Sequence, residues 1–110
     1  MTIREAAKAL DAEILHDDFT DSEIAGAYTS DLLSDVMANA RESGALITIQ
    51  AHKNTVAVAT LVNVNVIIIC NSRPIPGDML ASAKEEGIAI LLSKENQFTI
   101  SGKLYSLLNK

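Results

Sequence analysis

The sequence predicts a single α/β domain, residues 1–110, in which a mainly parallel sheet is covered by helices on both faces. Three observations predict it. Between Leu46 and Leu92 short apolar runs alternate with helix-length segments, the rhythm of consecutive β-α-β units. Val66–Cys70 and Ile88–Leu92 are apolar without alternation, as strands buried on both faces are. A chain of 110 residues, 48% apolar, with five glycines and two prolines, fills one core and is too short for two.

Each element has a local cause. Thr2 and Glu5 fit a capping box, and Ile3, Ala6, Ala7 and Leu10 fall on one face of the helix that follows. Ala12–Leu15 reads as a short strand, His16–Ser22 as an acidic loop and Ile24–Tyr28 as a second strand. Ser30 or Asp31 is expected to cap a helix through about Arg41, with Leu32, Leu33, Val36, Met37 and Ala40 inward and Gly44 as its stop. Leu46–Gln50 is a strand, Asn54–Val62 a helix and Val66–Cys70 a strand. Pro76 suits the first turn of a helix over Gly77–Glu86 that stops at Gly87. Ile88–Leu92 is the last strand. Ser93 or Asn96 opens a final helix towards Leu108, with Phe98, Leu104 and Leu107 or Leu108 inward.

Composition excludes several functions. Nine basic against fourteen acidic residues give a net charge of −5, and no stretch is rich in Lys or Arg, so no nucleic-acid partner is expected. The single Cys70 excludes an internal disulfide and a zinc site built on cysteines of one chain. Asn54–Ser72 is an uncharged run of nineteen residues, but four asparagines and two threonines interrupt it, so no membrane span is read there. Met1–Leu10 is charged and amphipathic, unlike a signal peptide, and a cytoplasmic location is expected. There is no GxGxxG, GxxxxGK[ST], nucleophile elbow or HExxH, which weighs against an NAD-linked or ATP-consuming enzyme. No cofactor and no resident metal is expected.

Ligands of open parallel sheets bind beyond the carboxyl ends of the strands. Those ends here carry Thr29-Ser30-Asp31, the run Gln50–Thr55, Asn71-Ser72-Arg73 and Ser93-Lys94. Hydroxyls, amides, an imidazole and the cations Lys53, Arg73 and Lys94 thus gather on one rim, and the amides at the start of the helix near Asn54 add positive potential. A nucleotide or another phosphorylated small molecule is the expected guest, the alternative being that these loops only cap helices. The candidate site is Ser30, Asp31, Gln50, His52, Asn54, Thr55, Asn71 and Arg73. His52 and Asn54 would hydrogen-bond the ligand and Arg73 would pair with its anionic group. Asp31 and Asp35, four apart, offer a magnesium-dependent alternative with His52 as base. Cys70 is read as a buried structural cysteine.

The helix over Asn54–Val62 is apolar on every side and needs cover on every side. A homodimer through Val56, Val58, Ala59, Leu61 and Val62 is expected to supply it. The alternative is that Phe98–Leu108 folds over it within one chain.

Ser30–Val36 and Ile47–Ala59, with Ile67–Cys70, Lys84–Ile88 and Gly102–Tyr105, resemble the small stand-alone members of the DRTGG-domain family over about residues 2–108. The resemblance implies a three-layer fold similar to the N-terminal domain of HPr kinase/phosphorylase. It also implies a non-catalytic regulatory role with adenine-nucleotide control, dimer contacts, a regulatory protein partner and a link to anaerobic redox (hydrogenase) systems. The family's Asp-Arg pair falls on Ala51-His52 and its Thr-Gly-Gly on Cys70-Asn71-Ser72, so the naming motif is replaced in this chain. Beside this reading stand a small magnesium-dependent phosphoryl-transfer or hydrolytic enzyme and a purely structural interaction module.

Overall fold

The computed structural model of the protein describes residues 1–40 and 44–110. In chain order the elements are α1 (Ile3–Ala9), β1 (Glu13–Ile14), β2 (Ala27–Thr29), α2 (Leu33–Asn39), β3 (Ala45–Thr48), α3 (Lys53–Leu61), β4 (Val66–Ile69), α4 (Gly77–Glu86), β5 (Ala89–Leu92) and α5 (Gln97–Leu108). The sheet runs β1-β5-β4-β3-β2. β2 to β5 are parallel, and only β1 lies antiparallel, pairing Glu13 with Leu92 and Ile14 with Leu91.

Strand pleating divides the core in two. Ala45, Ile47, Val66, Ile68, Cys70, Ala89 and Leu91 meet Ile3, Ala6, Ala7 and Leu10 of the first helix and its cap, with Ile100 and Leu104 of α5. Leu46, Ile67, Ile69 and Ile90 meet Val36, Val56, Val58, Ala59, Met79 and Ala83 from α2, α3 and α4. Helices therefore cover both faces, giving the three layers the resemblance implied. Burial of the central strands on both sides is what their continuous apolar sequence required, at about 2 kcal/mol for each large aliphatic side chain.

The caps that the sequence announces are made. Thr2 and Glu5 form the capping box, Asn96 accepts from the Thr99 amide to open α5, and Gly87 closes α4 at φ 70°. α2 differs. It starts at Leu33 with no side-chain cap, because the Asp31 carboxylate is engaged elsewhere and the Ser30 hydroxyl bonds the Leu32 amide and carbonyl before the helix begins. Leu32 and Met37 consequently face solvent, 64% and 54% exposed, rather than the core. The helix ends at Asn39, so Gly44 is not its stop, and Gly44 instead accepts from the Asn65 amide beside β3. The expected end at Arg41 lies outside the described residues. In α5, Leu104 is buried as expected, but Phe98 is 87% exposed, and the inward position of that turn is taken by Ile100.

Among the described residues no helix is long and apolar enough to cross a membrane. The hydrophobic run Asn54–Ser72 is divided between α3 and β4, as its asparagines suggested.

Candidate functional site

The carboxyl ends of β2, β3, β4 and β5 share one rim, and Asp31 ties it together. One carboxylate oxygen, Oδ1, accepts from the Thr48 hydroxyl, the Ile49 amide and the Gln97 side-chain amide, each at 2.9 Å. The Asp31 carbonyl accepts from Gln50 Nε2 at 3.0 Å, and the Gln50 amide donates back to Thr48 Oγ1 at 3.1 Å. Thr55 Oγ1 donates to the Gln50 carbonyl at 2.8 Å, which fastens the start of α3 to the same knot. Thr29 and Ser101 add a hydroxyl pair at 2.7 Å between β2 and α5. Three residues, Thr48, Ile49 and Gln97, are thus held by one partly buried carboxylate, whose charge strengthens every bond it accepts.

The knot includes Thr48 and Gln97, which the residue list from sequence omits. Thr48 had a legible signal, a lone hydroxyl in the apolar run Leu46–Ile49 that must find a partner when buried. Gln97 had none.

After β4 the chain turns through Asn71 and Ser72, both left-handed at φ 61° and 50°. The resemblance expects the Gly-Gly of the family motif at these positions, and the backbone here has the shape that glycine favours although side chains stand there. The turn is pinned to the β5–α5 connection, the Asn71 amide donating to the Glu95 carbonyl (2.9 Å) and the Ser72 amide to the Ser93 carbonyl (2.8 Å). Beneath it Cys70 is fully buried. Burial first, and the Asp31 charge second, push its thiol up to about 11. Native protein at about pH 8 is expected to leave DTNB unreacted, with one thiol per chain released on denaturation. A fast native reaction would show that the strand end opens. The folded thiol holds its proton from 9.0 to about 11 while the unfolded one sheds it, so stability falls as pH rises through that window.

At α3, His52 is the N-cap, its Nδ1 accepting from the Asn54 amide at 3.0 Å. That bond uses one of the helix-start amides expected to face an anion and gives the imidazole a capping role. His52, Asn54, Asn71 and Arg73 are exposed on the rim, and among the described residues no ion pair engages Lys53, Arg73 or Lys94. Asp31 and Asp35 do not share a helix face, since α2 begins after Asp31. Asp35 is turned to Tyr28 Oη (2.8 Å) and Asn39 Nδ2 (2.9 Å), and the Tyr28 bond first, then those of Ser30 and Asn39, hold its carboxyl below the usual range. The two acids therefore do not converge on one cation, and among the described residues no cluster of three His, Cys, Asp or Glu side chains forms.

The cover of α3 also differs from the expected one. Val56, Val58 and Ala59 are buried within the chain by α2, α4 and the sheet, because α3 lies between its two neighbours in one layer. Neither a second copy nor Phe98–Leu108, which lies on the opposite face, is needed to cover them. Of the five α3 positions, Leu61 (71% exposed) and part of Val62 reach the surface.

Two kinds of cavity border the rim. A small one of about 160 Å³ is lined by Ser72, Leu92, Ser93 and Lys94 with Asp11 and Glu13. A larger one, about 400 Å³, lies between β2 and α5 and is lined in part by Thr29, Ile47, Ser101 and Tyr105.

No family model matches the sequence, and no curated protein does. Among solved structures, the CBS and DRTGG domains of the regulatory region of Clostridium perfringens pyrophosphatase, complexed with the activator diadenosine tetraphosphate, superpose with a TM-score of 0.74 at 14% identity. The match covers 94% of this chain and 45% of that one, so the chain spans less than half the length of its structural neighbour. Conserved arrangement at so low an identity establishes shared architecture. The fold of this chain is DRTGG-like, as the segments around Ser30 and Asn54 implied.

Proposed function

We propose that the chain is a regulatory, ligand-sensing domain, not an enzyme, and that its rim takes an anionic small molecule of the adenine-nucleotide class. The observation that carries this reading is the likeness of 94% of the chain to a regulatory region crystallised with an adenine dinucleotide activator. The rim adds compatible chemistry, with Arg73, Lys53 and Lys94 outside the ion pairs among the described residues and a hydrogen-bonded floor organised by Asp31. Non-converging acids argue against the magnesium-dependent alternative. The regulatory partner, and its place in an anaerobic redox system, follow from the family resemblance alone.

Calorimetry with AMP, ATP and diadenosine tetraphosphate tests the reading. Binding is expected for the wild type and about ten-fold weaker binding for Arg73→Ala, the loss of one exposed charge-assisted pair. Equal affinity in the variant rejects the role of Arg73, and no heat with any nucleotide rejects the ligand class. Self-association is part of the proposal, now with Leu61 and Val62 as the two of the five expected positions that reach the surface. Light scattering of the same samples should report twice 11.8 kDa, and a monomer removes it.

A further inference from the structure

We infer that the cavity between β2 and α5 is a site for a neutral, nucleobase-sized heterocycle, read by the free backbone edge of β2. The inference rests on the nucleotide reading above and extends it by separating a base subsite from the charged rim.

β2 is the outermost strand of the sheet. In a parallel ladder alternate residues of a strand bond the same neighbour. The Gly26 carbonyl accepts from the Ala45 amide at 2.9 Å and the Ser30 amide donates to the Ile47 carbonyl at 3.2 Å. Gly26, Tyr28 and Ser30 therefore face β3, and Ala27 and Thr29 turn their N–H and C=O groups outward. Among the described residues nothing bonds these outward groups. One residue of such an edge presents a donor and an acceptor side by side, which matches the adjacent amino donor and ring-nitrogen acceptor of an adenine edge.

The cavity stands at that edge. Its volume, about 400 Å³, falls within the range of small-ligand pockets. Ala25, Gly26 and Ala27 keep its strand side low, Ile47 and Leu108 give apolar surface, and Tyr105 offers a ring that is 72% exposed. The Thr29–Ser101 hydroxyl pair and Asn109 supply polar groups, and no charged side chain lines it. An uncharged lining suits a base and not a phosphate. Thr29 connects directly to Ser30 and the rim, so a nucleotide could place its base here and its phosphates outside. Strand addition by a peptide is the less favoured occupant, because β2 is only three residues long.

Adenosine, which carries no phosphate, is the probe. NMR titration of the whole chain should shift the Ala27 and Thr29 amides, and Tyr105→Ala and Ser101→Leu should each weaken adenosine about ten-fold while Arg73→Ala leaves it unchanged. If the Ser101 variant fails to fold, the amide shifts of the wild type and the Tyr105 variant still decide. Nucleotide binding that survives both cavity variants and falls in Arg73→Ala overturns the base subsite and keeps the rim. Adenosine that binds while added phosphate groups bring no gain keeps the cavity and overturns the rim. Amide shifts produced by an extended peptide and not by adenosine assign the edge to strand addition and overturn the inference, and silence towards adenosine and nucleotides overturns both readings.

Discussion

Asp31→Ala is expected to lower the stability of the domain by about 3 kcal/mol, a large share of what a chain of this size holds. Three donors end on one oxygen of that carboxylate, from β3, from the turn after it and from the first turn of α5. Truncation leaves Thr48, which is fully buried, and the Ile49 amide without their acceptor. The penalty is the desolvation of groups that cannot all reach water. Asp31→Asn keeps an acceptor oxygen in place and loses the charge, so about half the effect is expected. Urea unfolding checks both, through a lower midpoint at constant slope. A change below about 1 kcal/mol for the alanine variant would mean that the rim is held by the sheet alone. Because the same residue orders the loops carrying Gln50 and Thr55, nucleotide affinity should fall in parallel, even though its Oδ1 is already saturated by the protein.

The knot also marks where sequence reading reaches its limit. That Ser30, Gln50, Asn71 and Arg73 share a rim follows from parallel strands and right-handed crossovers, and needs no contact information. That Asp31 meets Gln97, 66 residues away, depends on side-chain placement that no local pattern encodes. The misplaced start of α2 has the same cause, since an Asp before an apolar periodic run looks like a cap whether or not a distant partner claims it. Gly77–Glu86 was legible to the residue because its stop is local, a glycine with positive φ. In α3, hydrophobicity on all sides implied cover on all sides, yet only the face carrying Val56, Val58 and Ala59 is covered while Ala57 and Leu61 stay exposed. Periodicity does not say whether neighbouring helices or a second chain provide the cover. α2 and α4 provide it here. At Asn71-Ser72 the missing glycines concealed a turn whose backbone is nonetheless left-handed at both residues.

Which side of α5 carries stability is decided by a paired substitution. Leu104 is fully buried against the sheet and α1, so Leu104→Ala should cost about 3 kcal/mol through lost burial and the cavity left behind. Phe98 sits at the other side of the same helix, 87% exposed, so Phe98→Ser should change stability by no more than about 0.5 kcal/mol. The sequence alone placed both inward, because Phe and Leu at positions six apart are compatible with one broad apolar face. Two observations separate them. Asn96 caps the helix through the Thr99 amide, which sets its phase, and that phase sends Ile100 and Leu104, one helical repeat apart, into the core. Denaturation midpoints and slopes of the two variants test this directly. Equal losses would mean that Phe98 packs against something in the isolated protein, and a loss confined to Leu104 leaves the aromatic ring free on the surface. The Leu104 substitution also loosens the wall that positions Ser101 and Tyr105, so adenosine affinity should drop with stability there and stay unchanged in Phe98→Ser.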